Sequence, residues 1–253
     1  MQRYFVKNAN INLPYVVIDF EDAHHIIHVM RMKIGSQVYV CDEDEHCNVC
    51  EIIEIQKQAV KLLIKESVTR KVELELDVTI AQGLIRREKM EEVIRKIAEL
   101  GANTYIPVKM ERSIVKVDVE TEDKKRIRLG KIAKEACEQS HRNKVMAIKN
   151  IHSLKEIMQQ KKHYDLCLFA YEETSRSSTY DIKQAISLFQ GRKLLVLIGP
   201  EGGFSETEAK RLKEQGFGAV GLGPRILRTE TAPQYVMAAI SYQFELGDSH
   251  ESK

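Results

Sequence analysis

Lys193-Leu194-Leu195-Val196-Leu197-Ile198-Gly199-Pro200-Glu201-Gly202-Gly203-Phe204 is the stretch on which the fold turns. Residues 193–198 form a short apolar run with the branching of a strand buried on both faces, and it stops at a turn rich in glycine and proline. A helix follows directly. Ser205 and Glu208 make a capping box, Leu212 continues the apolar face, and Gly216 stands where a left-handed C-terminal cap is wanted. Strand, bare turn and capped helix together bring backbone amides within reach of a ligand.

The same grammar returns about twenty residues on, where Ala219-Val220 leads into Gly221-Leu222-Gly223-Pro224-Arg225-Ile226-Leu227-Arg228-Thr229-Glu230. Thr231 and Gln234 read as a second capping box, and Pro233 falls in the first turn, where its missing N–H costs little. Tyr235, Val236, Ala239, Ile240 and Tyr242 make the last helix mostly apolar. Two such turns at strand ends predict one composite site.

Upstream, strands and helices alternate. Leu76–Ala81, Thr104–Val108, Val145–Ile148 and Leu166–Ala170 read as strands; Arg86–Leu100, Glu122–Gln139, Ser153–Gln160 and Tyr180–Phe189 read as helices, the second with Ile127, Leu129, Ile132, Ala133 and Ala136 inward. Alternation of this kind predicts an α/β domain over 71–253, with a mostly parallel sheet and ligands at the carboxyl ends of its strands. Residues 1–70 differ. Arg3–Val6, Tyr15–Ile18, Gln37–Cys41, Asn48–Gln56 and Ala59–Ser67 are short strands around one helix at Glu21–Met32, which predicts a small β-barrel joined through the charged stretch 66–75.

With 253 residues the chain can bury a full core, and a net charge of only +2 excludes a polycation of the histone kind. A nucleic-acid surface must then be local. Basic residues do cluster near the start and along 124–144, although charged runs on a helix are commonly solvated faces. No apolar run is long enough to cross a membrane and Met1-Gln2-Arg3 opens no signal peptide, so a cytoplasmic protein is expected. Five cysteines, an odd number, agree with a reducing compartment. Cys41, Cys47 and Cys50 with His46 supply a single C-x-x-C and read as ordinary strand cysteines; His24 and His28 lack a third ligand, and no metal is expected.

Neither glycine turn is a phosphate loop, because no Lys-Ser or Lys-Thr follows. Neither reproduces the dinucleotide fingerprint at the head of a βαβ unit. Either turn alone passes for a tight βα connection. Together, with Glu201, Arg225, Arg228 and Glu230 beside bare backbone, they favour a binding site.

Residues 197–205 (LIGPEGGFS) and 222–232 (LGPRILRTETA) resemble the two signature motifs of the SPOUT methyltransferases, specifically the RsmE family, which methylates N3 of a uridine in 16S ribosomal RNA. Arg3-Tyr4-Phe5, the run from His25 to Gly35, Glu111-Arg112-Ser113 and Glu138-Gln139-Ser140-x-Arg142 are similar to further landmarks of that family. His141 stands where a glycine is expected and Met30 where leucine is commoner. The resemblance implies a SPOUT domain with a deep C-terminal trefoil knot, a PUA-like β-barrel before it, and a homodimer. It implies S-adenosylmethionine as methyl donor, bordered by Gly199, Pro200, Glu201, Gly202, Leu222, Gly223, Ile226, Leu227 and Arg228, with Phe169, Ala170 and Tyr171 completing the pocket.

Methylation at N3 needs a stabilised uracil anion. Arg228 is the expected group for its charge, Arg225 a helper or phosphate anchor, and Glu230 or Glu201 either a proton acceptor or a loop brace. Arg3, Arg31, Lys33, Arg112 and Arg142 are expected to grip phosphates, and the family pattern points to 16S rRNA inside an assembled small ribosomal subunit. Two other readings stay open: SPOUT chemistry on a ribose 2′-hydroxyl or a transfer-RNA guanine, and a catalytically idle RNA-binding assembly protein.

Overall fold

The computed structural model describes residues 1–115, 119–171 and 181–246, the side chains of 119–121 excepted. The chain divides into two compact units. One comprises residues 1–73 with 137–145; the other comprises 74–136 with 146–253.

The first unit is a six-stranded sheet in the order β1-β4-β5-β6-β3-β2, built from β1 (Arg3–Phe5), β2 (Ile11–Asn12), β3 (Tyr15–Asp19), β4 (Gln37–Cys41), β5 (Cys47–Ile55) and β6 (Ala59–Val68). Alternation sets its inner face: in β3, Val16 and Ile18 are buried while Tyr15 and Val17 point out. They pack with Tyr4, Val38, Val40, Ile52, Val60 and Leu62 against Ile26, which follows α1 (Phe20–His24) on a wider helical turn running to Val29. Among the described residues no pairing joins β1 to β2. Where a compact barrel was expected, the sheet is a half-barrel with two edges.

The cysteines of this unit depart from the sequence reading. Hairpin register sets Cys41 opposite Cys47, and their sulfurs are joined as a disulfide. Cys50 faces the core, where burial pushes its thiol up to about 12, far from the thiolate a metal site needs.

In the second unit every pairing is parallel. Its sheet runs β10-β8-β7-β12-β11-β13, with β9 also on β8. The strands are β7 (Asp77–Gly83), β8 (Thr104–Lys109), β9 (Ala147–Ile148), β10 (His152–Ser153), β11 (Leu166–Ala170), β12 (Lys193–Ile198) and β13 (Gly218–Val220). The helices are α2 (Arg87–Glu99), α3 (Val119–Gln139), α4 (Leu154–Gln160), α5 (Ile182–Ser187), α6 (Glu206–Glu214) and α7 (Thr231–Ser241); the expected helix start at Tyr180 lies outside the described residues.

Central β12 explains its own composition. Leu194, Leu195, Val196 and Leu197 are fully buried, each adding about 1.5–3 kcal/mol of apolar burial. Along α3, Leu129, Ile132, Ala133 and Ala136 are buried, but Ile127 is 55% exposed, against expectation. Two residues before Leu129 it sits about 200° around the helix, on the opposite face. The strand order lays β12, β11 and β13 side by side. Their carboxyl ends therefore open on one edge of the sheet.

Candidate functional site

The turn after β12 folds back on itself. Gly203 takes φ +66° and its amide donates to the Pro200 carbonyl at 2.9 Å; a Cβ on Gly199 would lie 3.1 Å from the Gly203 backbone. Ser205 and Glu208 then form the expected capping box at the head of α6. Beneath the turn, a Cβ on Gly83 at the end of β7 would stand 2.4 Å from Pro200 Cδ and 2.6 Å from its nitrogen. Gly83→Ala is accordingly expected to displace the turn and cost about 1–3 kcal/mol, read as a lowered denaturant midpoint with unchanged slope.

The turn after β13 enters α7 differently from the sequence reading. Thr231 and Gln234 form no capping box. Glu230, already in helical conformation, precedes the helix without a side-chain cap, so Thr231 lies inside the first turn. The Thr231 and Ala232 amides donate to the Arg228 carbonyl at 2.9 and 3.0 Å, and Gln234 Nε2 donates to the Glu230 carbonyl at 3.0 Å. The expected residues are present; the Arg228 carbonyl takes the place of the hydroxyl cap.

A buried chain of hydrogen bonds ties the turns together. Thr229 Oγ1 donates to the Gly199 carbonyl at 2.7 Å, Gln82 Nε2 donates to the Thr229 carbonyl at 2.7 Å, and the Tyr105 hydroxyl donates to Gln82 Oε1 at 3.0 Å. Gln82 and Tyr105 are fully buried, and burial raises the Tyr105 phenol, keeping it a neutral donor. None of these three stands out in the sequence. A signal exists all the same: Gln82 is a polar amide directly after the apolar pair Ile80-Ala81, at the carboxyl end of its strand.

Between the turns lies a cavity of about 640 Å³, within the range of small-ligand sites. Ala170, Tyr171, Gly199, Pro200, Glu201, Gly202, Leu222, Ile226, Leu227 and Arg228 line it, as do Arg225 and Glu230. Of the residues expected there, Phe169 and Gly223 do not. Phe169 is fully buried behind the wall, its ring 5.3 Å from Phe204 and 5.7 Å from Tyr171; Gly223 supplies a left-handed φ of +91° to its turn.

Charge in the cavity is mixed. Lys89 of α2, which sequence reasoning missed, donates to Glu230 Oε2 at 3.0 Å and stands 3.9 Å from Glu201 Oε1. Burial alone would lift the Glu230 carboxyl. The hydrogen bond from its own amide, the Lys89 ammonium and the Arg228 charge outweigh burial and hold it below the ordinary glutamate value.

The five residues expected to grip phosphates separate. Arg112 is exposed at the cavity and donates to the Gly202 carbonyl at 3.1 Å. Arg31 (φ +52°) and Lys33 are exposed on the first unit. Arg3 and Arg142 are 5% and 3% exposed. Arg3 Nη1 donates to the Arg142 carbonyl and to Asn143 Oδ1, both at 2.6 Å, and Arg142 pairs with Glu73 at 2.6 Å. Both guanidinium groups are committed inside the unit.

This geometry meets known proteins over nearly the whole chain. Residues 72–241 match the RNA methyltransferase domain family and residues 18–65 the RNA methyltransferase PUA domain. The chain is 45% identical to the ribosomal RNA small subunit methyltransferase E of Bacillus subtilis, covering 97% of this chain and 98% of that one. It is 32% identical to the enzyme of the same name from Buchnera aphidicola subsp. Schizaphis graminum, over 89% and 88%. Among solved structures, ribosomal RNA small subunit methyltransferase E from Neisseria gonorrhoeae, bound to S-adenosyl methionine, superposes with a TM-score of 0.83 at 27% identity, covering 96% of this chain and 98% of that one. With two domain matches in tandem and that degree of identity from end to end, the chain belongs to the ribosomal RNA small subunit methyltransferase E family of RNA methyltransferases.

Proposed function

We propose that this protein transfers a methyl group from S-adenosylmethionine to N3 of a uridine in the 16S rRNA of the small ribosomal subunit. The observation that carries the reading is the single cavity formed where the turns after β12 and β13 close on each other through Thr229 and Gly199. Its chemistry suits the donor. Leu222, Ile226 and Leu227 offer apolar cover for a purine, the glycine turn exposes backbone amides and carbonyls for its edge, and the Glu201 carboxylate suits the ammonium of an amino-acid tail.

When bound, S-adenosylmethionine supplies an electrophilic methyl group. The chain has then to hold the uracil in line and stabilise the charge left when the N3 proton departs. Arg228 and Arg225, exposed at the cavity, carry the positive charge that a uracil oxygen needs. Glu230, ion-paired to Lys89 and kept ionised, is a brace for the second turn more than a base, and the proton passes to solvent at the open mouth. Positioning supplies much of the rest, on the order of 7–11 kcal/mol for well-oriented groups. N3 lies on the pairing edge, so the target base must be unpaired or swung out.

The reading includes the family's trefoil knot, a homodimer, a cytoplasmic setting and an assembled subunit as substrate. Tyr235, Tyr242 and Leu246, 41%, 69% and 63% exposed at the C-terminal helix, support a second copy covering that face. No helix among the described residues is long and apolar enough to cross a membrane. Mass-spectrometric mapping of 16S rRNA from cells lacking the protein should reveal one missing N3-methyluridine, restored by adding protein and donor to purified subunits. An unchanged modification map would end the proposal.

Arg31 and Lys33 are the exposed cations of the first unit proposed to meet phosphate. Arg31→Ala with Lys33→Ala is expected to weaken subunit binding and lower the slope of log K against log salt by about 1 for each phosphate no longer neutralised. A slope equal to that of the unaltered protein would remove them from the RNA surface.

A further inference from the structure

Lys89 reaches acidic groups of both glycine turns. It projects from α2 with its Nζ 3.0 Å from Glu230 of the second turn and 3.9 Å from Glu201 of the first. Side-chain exposures are 34% for Lys89, 14% for Glu230 and 23% for Glu201, so all three sit half-sheltered at the cavity wall, where charge is less screened than on an open surface. Two carboxylates that share one ammonium would otherwise repel across the cleft.

We propose that Lys89 is a positioning residue for methyl transfer, a latch that bridges Glu201 and Glu230 and thereby holds the two turns at the separation the methyl donor requires. The inference rests on the reading of this cavity as the donor site, and it adds a residue and a pH dependence that the loop motifs do not contain. The groups acting on Glu230 are Lys89 from α2, which it shares with Glu201 of the first turn, Arg228 from its own turn, and its own backbone amide. With Lys89 removed, Arg228 is the cation left beside it.

The sign follows. Glu230 is held below its ordinary value in the folded protein, so the latch is engaged at neutral pH and fails as pH falls. Without Lys89 the carboxyl takes up its proton at higher pH, and the failure begins closer to neutrality. Lys89→Met should therefore lower affinity for S-adenosylhomocysteine about 10-fold at pH 5.5 relative to the unaltered protein, and only about 2-fold at pH 8, a difference of about 1 kcal/mol between the two conditions. Lys89→Arg should restore the flatter profile.

The decisive measurement pairs calorimetry at several pH values with carboxyl-carbon NMR titration of the ligand-free protein labelled at glutamate, the Glu230 signal being assigned by its loss in Glu230→Gln. An upward move of the Glu230 midpoint in Lys89→Met, together with the widening affinity loss, supports the latch. An unmoved midpoint, or an affinity loss equal at all pH values, overturns it. Failure of the unaltered protein to bind S-adenosylhomocysteine would strike the donor-site reading instead, and the NMR titration would still judge whether Lys89 governs Glu230.

Discussion

Arg228→Ala is expected to lower turnover on small ribosomal subunits by about 100- to 1,000-fold, the usual loss when one donor aimed at developing negative charge is removed. Affinity for S-adenosylhomocysteine should stay within about threefold. The separation of the two effects comes from the backbone. The Arg228 carbonyl is fixed by the amides of Thr231 and Ala232 at the start of α7, and the neighbouring Thr229 is locked to Gly199 and Gln82. The turn therefore keeps its path with or without the guanidinium, which is exposed at the cavity. Single-turnover methyl transfer and calorimetry on the same preparation check both halves. Normal turnover with unchanged affinity would remove Arg228 from the chemistry; a collapse of affinity would recast it as a donor-binding group. Arg228→Lys keeps the charge but loses the planar fork, and an intermediate rate is expected from it.

The elements that sequence alone makes legible are those in which local propensity and burial agree. β12 is an example: an apolar run buried on both faces can hardly be anything but a central parallel strand, and its end point is forced by Gly199 and Pro200. The capping box at Ser205 and the left-handed Gly216 are equally readable, because each satisfies orphan backbone groups of α6 with its own side chain or conformation. Where a backbone carbonyl does the same work, as that of Arg228 does for α7, composition leaves no mark, and the box expected at Thr231 does not form.

Partners distant in the chain are the other blind spot. Lys89 lies in a charged stretch of α2 that reads as a solvated face, and only the fold sets it between Glu201 and Glu230. Gln82, Tyr105 and Thr229 are likewise unremarkable in isolation and become a strut only when β7, β8 and the second turn meet. Residues 137–145 illustrate the limit at domain scale. They follow α3 in the chain yet belong with residues 1–73, held there by long-range polar contacts that no window of sequence contains.

Those contacts make Arg142 the site of the largest expected loss of stability. Its guanidinium pairs with Glu73 at 2.6 Å, the two side chains being 4% and 13% exposed; Glu73 also accepts the Asn143 amide at 2.7 Å, and the Arg142 carbonyl accepts Arg3 at 2.6 Å. Arg142→Ala leaves a sheltered carboxylate with one amide in place of a charged partner, and breaking such a pair costs about 3–5 kcal/mol. For a chain of this size that corresponds to a fall of about 10 °C in the melting midpoint. Replacing both partners, Arg142→Leu with Glu73→Leu, removes the stranded charge together with the pair, so most of the loss should be recovered. Thermal and urea unfolding of the single and double variants test the coupling. The same variants separate a packing role from RNA contact. If Arg142 gripped phosphate, the double variant would bind subunits with a shallower salt dependence; as an internal tie it should bind with the slope unchanged. Equal melting midpoints for the unaltered protein and Arg142→Ala would refute the tie and return Arg142 to the RNA surface.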